Sequence, residues 1–367
     1  MKWKEQLLTL KPYKPGKSID SVKREYHLSN IVKLASNENP FGSSQKVVSA
    51  LQNELSSFNL YPDGYATYLR KAVASFLQVE EEQLIFGNGA DNLIQIISRS
   101  FLLPGKNTVM ANPSFSQYKH NAIIEGAEVR EIELIDGNHD LDSMLCAIDD
   151  QTAVVWLCSP NNPTGVHIAK DKLTAFLDKV PKQTLVVIDD AYHDYVVADD
   201  FYNSIEFANK YSNLIVLRTF SKIYGIASLR VGYGVANKDL IRVLEPTREP
   251  FNVNTLGQIA AVAAIQDQAF VAECRRENRE GIEKFQQFCD ENQLHYYPSQ
   301  ANFILIDFGT SGDEVFQYML EKGYIVRSGN ALGFPTSVRV SIGTKEQNKG
   351  AIEVMKQYLV DKASVVK

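Results

Sequence analysis

A chain of 367 residues, 44% hydrophobic and 22% charged, can bury its own core in about two domains and has neither a disordered nor a fibrous composition. Its 38 Lys and Arg against 44 Asp and Glu leave a net charge of −6 with no basic stripe, which excludes a nucleic-acid footprint and argues against an anionic membrane surface. Four scattered cysteines (Cys146, Cys158, Cys274, Cys289) without a C-x-x-C pair, six histidines without ligand spacing and no apolar run near 20 residues speak against a disulfide framework, a metal site and a membrane span, so the expected location is the cytoplasm.

In chain order, Pro12, Pro15 and Gly16 make residues 1–34 an extended arm with no strong periodicity. From about residue 80, short apolar runs alternate with helical stretches. The expected strands are Leu84–Phe86, Thr108–Ala111, Val129–Leu134, Ala153–Cys158, Leu185–Ile188, Leu214–Thr219 and Val231–Val235, with Asp91–Phe101 and Lys170–Leu177 as crossover helices. Several runs are apolar at every position, the pattern of a strand covered on both faces, and this predicts a largely parallel α/β sheet. One long helix is expected over roughly Thr255–Asn292, then strands at Ala301–Ile306 and Val338–Ile342 around a helix at Asp313–Lys322, then a terminal helix. That reading gives a large domain over 35–260 and a smaller α+β domain over 261–367, joined by the arm.

Ligands of open α/β sheets sit at the carboxyl ends of the strands, and polar residues gather there in this sequence. Gly87-Asn88-Gly89-Ala90-Asp91 leads from a strand straight into a helix, which suits a phosphate or an ordinary tight turn; Asn92 stands where a dinucleotide fingerprint would have its third glycine. Ser159-Pro160-Asn161-Asn162-Pro163-Thr164-Gly165 follows another strand and also reads as a plain loop. Asp189 and Asp190 end the Leu185 strand; such acids cap helices, but a carboxylate at the mouth of a buried sheet is costly unless it faces a cation. Lys222, between apolar runs at the end of the Leu214 strand, is placed for desolvation and Schiff-base chemistry, and Arg230 adds a planar fork for an anion. An aldehyde needs a lysine, a pyridinium a carboxylate, a phenolate hydrogen-bond donors and a phosphate a helix start with a guanidinium. Pyridoxal phosphate carries all four groups.

Those residues together resemble the fold-type I, pyridoxal-phosphate-dependent aminotransferases of class I/II, nearly end to end. The general signals are Asn162-Pro163-Thr164-Gly165, the D-x-A-Y of Asp189 to Tyr192, and Lys222 with Arg230. Narrower ones, PYKPG at 12–16, LASNENPFG at 34–42, YPDG at 61–64, GNGADN at 87–92 and VRVSIGT at 338–344, are similar to the histidinol-phosphate branch. The resemblance implies Lys222 as Schiff-base lysine and proton-moving base, Asp189 on the pyridinium, Asn162 and Tyr192 on the phenolate oxygen, and Phe115 stacked on the ring. It implies Ala90 and Asp91 backbone amides, Ser221 and Arg230 around the phosphate, with Tyr61 reaching the same phosphate across a homodimer interface. Arg339 and Arg327 are the implied anion-binding arginines, with Tyr13, Asn39 and Asn302 as further substrate contacts. The implied reaction is transamination of L-histidinol phosphate with 2-oxoglutarate, its rivals being an aromatic amino-acid aminotransferase or a decarboxylase of a phosphorylated amino acid on the same fold.

Overall fold

The computed structural model describes residues 2–8, 10–12, 16–52, 54 and 59–365. Its strands, in chain order, are β1 Val32–Lys33, β2 Leu84–Gly87, β3 Asn107–Asn112, β4 Glu128–Glu133, β5 Thr152–Cys158, β6 Leu185–Asp189, β7 Leu214–Thr219, β8 Gly232–Ala236, β9 His295–Tyr296, β10 Phe303–Asp307, β11 Tyr324–Ile325, β12 Arg327–Ser328 and β13 Ser337–Ser341. Seven of them form one sheet in the order β2-β8-β7-β6-β5-β3-β4. All neighbours run parallel except β8, which is antiparallel to both β7 and β2. Two reversals cancel, so β2 points the same way as β7, and the carboxyl ends of β2, β3, β5, β6 and β7 share one edge.

The uninterrupted apolar runs have the expected cause. Alternate residues of each inner strand feed opposite faces: Val155, Leu157, Val186, Ile188 and Val216 pack with Leu173 and Phe176, while Val154, Trp156, Val187, Ile215 and Leu217 pack with Leu93, Ile94 and Ile97. Each such side chain contributes roughly 1.5–3 kcal/mol by leaving water. Strand β4 sits at the edge, and none of its residues is fully buried.

A second sheet, order β12-β13-β10-β9, is antiparallel throughout. The amino-terminal segment is stitched to this part of the molecule: β1 pairs in parallel with β11, and Ser341 N–H donates to the Leu34 carbonyl at 2.9 Å.

Two elements differ from expectation. Residues before Leu34 are not featureless, because Ser18 caps an eight-residue helix, Ile19–Tyr26, by accepting from Ser21 N–H, and Val22 is buried beneath it. The single long helix is two, Thr255–Ile265 and Gln268–Glu291, separated by Gln266 and Asp267. The first is apolar on nearly every face and packs against the helices Gln45–Gln52 and Thr67–Leu77; the second is amphipathic and lies on β9 and β10. Two helices with different partners cannot share one straight axis, and Lys46 holds Asp267 at 3.6 Å where the chain turns.

Candidate active site

The shared carboxyl edge opens into a cavity of about 530 Å³. Of the residues singled out from sequence, Ala90, Asp91, Phe115, Asn162, Asp189, Tyr192, Ser221, Lys222, Arg230, Arg327 and Arg339 line it. Four others do not. Asn39 donates to the Ile223 carbonyl at 2.7 Å and to Cys274 Sγ at 3.3 Å; Asn302 is buried and donates to the Asn37 carbonyl at 3.0 Å. Tyr61 stands 82% exposed on the outer surface, stacked on Phe251 at 4.8 Å. Tyr13 lies outside the described residues.

At one end of the cavity is a cradle for an anion. Gly89, at φ 80°, caps the helix Ala90–Phe101, whose first N–H groups have no partner within the helix. Arg230 reaches over this start, donating to Ser221 Oγ at 3.1 Å, to the Ala227 carbonyl at 3.1 Å and to Asp91 Oδ2 at 3.2 Å. A Cβ on Gly89 would occupy the guanidinium's place, and one on Gly232 would meet the Ala90 amide, so both glycines are required by close approach as well as by backbone.

The floor is Asp189, the last residue of β6 and 4% exposed. Its Oδ2 accepts from Tyr118 Oη at 2.6 Å and its Oδ1 from Ala191 N–H at 3.3 Å. No lysine, arginine or histidine forms an ion pair with it among the described residues, and burial pushes its carboxyl up to about 6. Opposite stands Lys222, whose Nζ lies 5.6 Å from the centre of the Tyr192 ring and makes no hydrogen bond or ion pair among the described residues. Burial first, and then the positive charges of Arg339 and Arg230, push its ammonium down to about 8.

At the other end, Arg339 of β13 donates to Asn162 Oδ1 at 2.5 Å and to the Ala35 carbonyl at 2.9 Å, with its guanidinium 5.0 Å from the centre of the Phe303 ring. Arg327 of β12 is its cross-strand partner in register, so two cations enter the cavity side by side. Because Asn162 Oδ1 is engaged by Arg339, its amide N–H groups are what it offers the cavity. Tyr192 Oη accepts from Asn37 Nδ2 at 2.9 Å, which leaves the phenol proton to donate. Burial raises that phenol's pKa, so it keeps its proton.

Sequence reasoning passed over Tyr118 and Asn37. Tyr118 falls one helical turn after Phe115, a spacing that brings two aromatics to one face. Asn37 belongs to the same S-N-E-N stretch as Asn39 and adopts φ 56°, a conformation asparagine tolerates; Ser341 Oγ donates to its side chain at 2.9 Å and accepts from its backbone at 2.8 Å.

An amine of depressed basicity, an uncompensated carboxylate, two donors and a helix-start cradle are separate subsites for a carbonyl carbon, a ring cation, a ring oxygen and a phosphate. The buried acid without a cation is the most telling of them, since a ligand charge there would remove its cost. These residues fit pyridoxal phosphate. Among the described residues, no group of three or more His, Cys, Asp or Glu could hold a metal ion, and no helix is long and apolar enough to cross a membrane.

Comparison with known proteins points the same way. The family model "Aminotransferase class I and II" matches residues 29–355. A Geobacillus sp. (strain WCH70) protein named histidinol-phosphate aminotransferase is 59% identical over 99% of both chains, and a Bacillus subtilis (strain 168) protein of the same name is 58% identical over 98% of this chain and 100% of its own. A solved structure of histidinol-phosphate aminotransferase from Sinorhizobium meliloti in complex with pyridoxal-5'-phosphate superposes with a TM-score of 0.88, covering 97% of this chain and 98% of that one; at 23% identity it attests the shared fold.

Proposed function

The chain belongs to the aminotransferase class I and II family, and from that premise we propose that it moves an amino group between L-histidinol phosphate and 2-oxoglutarate, giving imidazole-acetol phosphate and L-glutamate in histidine biosynthesis. The observation that carries this reading is 59% identity, over 99% of both chains, to a relative named for that substrate. The paired Arg327 and Arg339 support it, since one cationic pair suits both a phosphorylated amino alcohol and a dicarboxylate.

The enzyme is a transaminase and its cofactor is pyridoxal phosphate. When bound, this group supplies an aldehyde carbon and a ring that draws off the electron pair left when the substrate loses a proton. Lys222 is the proposed covalent anchor for that carbon. Held near a pKa of about 8, a useful share of its amine is neutral at physiological pH, and once released it is the base that carries the proton away from the substrate carbon. Asp189 would hold the ring nitrogen in its positive form, the two opposite charges offsetting each other's burial. Asn162 and Tyr192 would donate to the ring oxygen, Phe115 would cover the ring, and Ala90, Asp91, Ser221 and Arg230 would hold the phosphate. Asn39 is then a positioning group that fixes the backbone at Ile223, next to Lys222; Asn302 does the same for Asn37.

A second copy of the chain is the proposed partner. Tyr61, Tyr65 and Tyr68 are all exposed on one short stretch, and the ring under Tyr61, Phe251, is held at a φ of 57°, a strained conformation for an aromatic residue. That surface supports a homodimer in which Tyr61 reaches the other copy's phosphate cradle. The proposed division into an arm (1–34), a cofactor domain (35–260) and a smaller domain (261–367) is supported by the turn at Gln266 and Asp267. Four free thiols support a cytoplasmic location.

The test is half-transamination of the pyridoxal form with histidinol phosphate, phenylalanine and tyrosine in separate reactions. Histidinol phosphate should react fastest, and Arg327→Ala should lower its kcat/KM at least about tenfold more than that of phenylalanine. Comparable rates for all three substrates would overturn the phosphate-specific reading.

A further inference from the structure

Tyr118 has 0% exposure, and a phenol buried that deeply needs an acceptor. Any backbone carbonyl would serve. The acceptor here is instead Oδ2 of Asp189, at 2.6 Å, the cavity carboxylate that has no cation beside it. The phenol ring has little freedom: it stacks on Trp156 with centroids 4.8 Å apart and planes 10° from parallel, and meets Phe115 edge-on at 5.6 Å. Trp156 is itself fixed, donating Nε1–H to Thr108 Oγ1 at 2.9 Å, while Thr108 donates to the Val154 carbonyl at 2.8 Å. Phe115, Tyr118 and Trp156 thus form a contiguous aromatic cluster, bolted to the sheet at one end and to the acid at its middle.

We propose that Tyr118 is a positioning residue: its hydrogen bond sets the Asp189 carboxylate in register with the Phe115 ring and keeps it an acceptor for a protonated ring nitrogen. The inference rests on the cofactor reading above. The groups facing Asp189 explain why one phenol matters so much. Burial first, and then Asp91 from the helix Ala90–Phe101 and Asp190 just after β6, disfavour its charge. Cys158 from β5 and Tyr192 are neutral groups, their own acidity weakened by burial and by Asp189. Among the described residues, the Tyr118 hydroxyl and the Ala191 amide donate to it and stabilise the ionised form. Without the hydroxyl, the acid would take up a proton at a higher pH and would then be a poor partner for a ring cation.

The experiment compares wild type, Tyr118→Phe and Asp189→Asn as full-length apoprotein, titrated with pyridoxal phosphate and with its 1-deaza analogue, which has CH in place of the ring nitrogen. Tyr118→Phe should weaken pyridoxal phosphate about tenfold and the deaza analogue less than twofold, with Asp189→Asn showing the same selectivity more strongly. A second measurement needs no ligand: the infrared carbonyl band of a protonated carboxyl that is missing in Asp189→Asn should titrate at higher pH in apo Tyr118→Phe than in apo wild type. Equal weakening for both ligands, or an unmoved infrared titration, would overturn the proposal and leave Tyr118 a packing residue. A wild-type apoprotein that binds neither ligand would overturn the cofactor reading, and this inference with it.

Discussion

Asp189 and Asp190 are neighbours in sequence and almost equally buried, at 4% and 5% exposure, yet they do opposite work. Asp190 turns away from the cavity into a closed cluster: Arg218 Nε lies 3.2 Å from it, His193 Nδ1 lies 3.1 Å away, and Ser204 Oγ donates to it. Burial alone would raise its pKa, but the charges of His193 and Arg218 bring it below its ordinary value. Asp189 has two hydrogen bonds and no cation, and its pKa moves up. Complete compensation holds the chain in place. Incomplete compensation leaves a charge whose natural partner is a ligand.

The difference has a sign that pH reveals. A depressed acid such as Asp190 contributes stability above its unfolded pKa and loses it as pH falls through the lower folded value. A raised acid such as Asp189 does the reverse: its contribution is present below about pH 4 and is lost as pH climbs through about 6. In the apoprotein at neutral pH, the cavity therefore carries an electrostatic cost that the cluster behind it does not.

Three substitutions break this contrast at different points. Lys222→Ala removes the amine on the uncompensated side and should slow half-transamination on the order of 10⁴-fold in single-turnover measurements, with loss of the visible imine absorption; normal turnover would refute the assignment. Arg218→Ala opens the compensated cluster and should cost about 3–5 kcal/mol in urea unfolding of the apoprotein, because Asp190 is left buried with less charge against it. The smallest effect has the opposite sign. Asp189→Asn should stabilise the apoprotein on the order of 2 kcal/mol at pH 7.5, and the gain should vanish in thermal melts near pH 4. A destabilised Asp189→Asn apoprotein at neutral pH would show that the two acids are not the contrasting pair described.

Much of this site was readable in advance because the fold writes it at strand ends. Burial on both faces turns β5, β6 and β7 into unbroken apolar words, and whatever polar residue follows them, Asn162, Asp189 or Lys222, must stand at the cavity. What escaped notice depends on relations that a linear pattern does not carry. Tyr118 looks like any core tyrosine until the end of β6 is known to lie against its hydroxyl. Asn37 and Asn39 are equivalent by composition, and only the backbone turn at Asn37 decides which of them reaches Tyr192. The helix break at Gln266 and Asp267 has no proline or glycine to announce it; the change of packing partner makes it. Ser18 did announce the helix Ile19–Tyr26, but its signal was masked by the prolines just before it.

The antiparallel strand β8 has a consequence for how the molecule comes together. The anion cradle joins residues 87–91 to residues 221–232, and those two stretches meet only where β8 closes between β2 and β7, with Gly87 and Thr219 both opposite Gly232. Bringing together segments so far apart along the chain is slow and is rewarded late in folding. An anion seated in the cradle straddles that seam, binding the closed form and not the open one, and so acts as a clasp across it. Loss of the ligand should then be felt first as fraying of β2 from β8, with the central strands β5, β6 and β7 still intact.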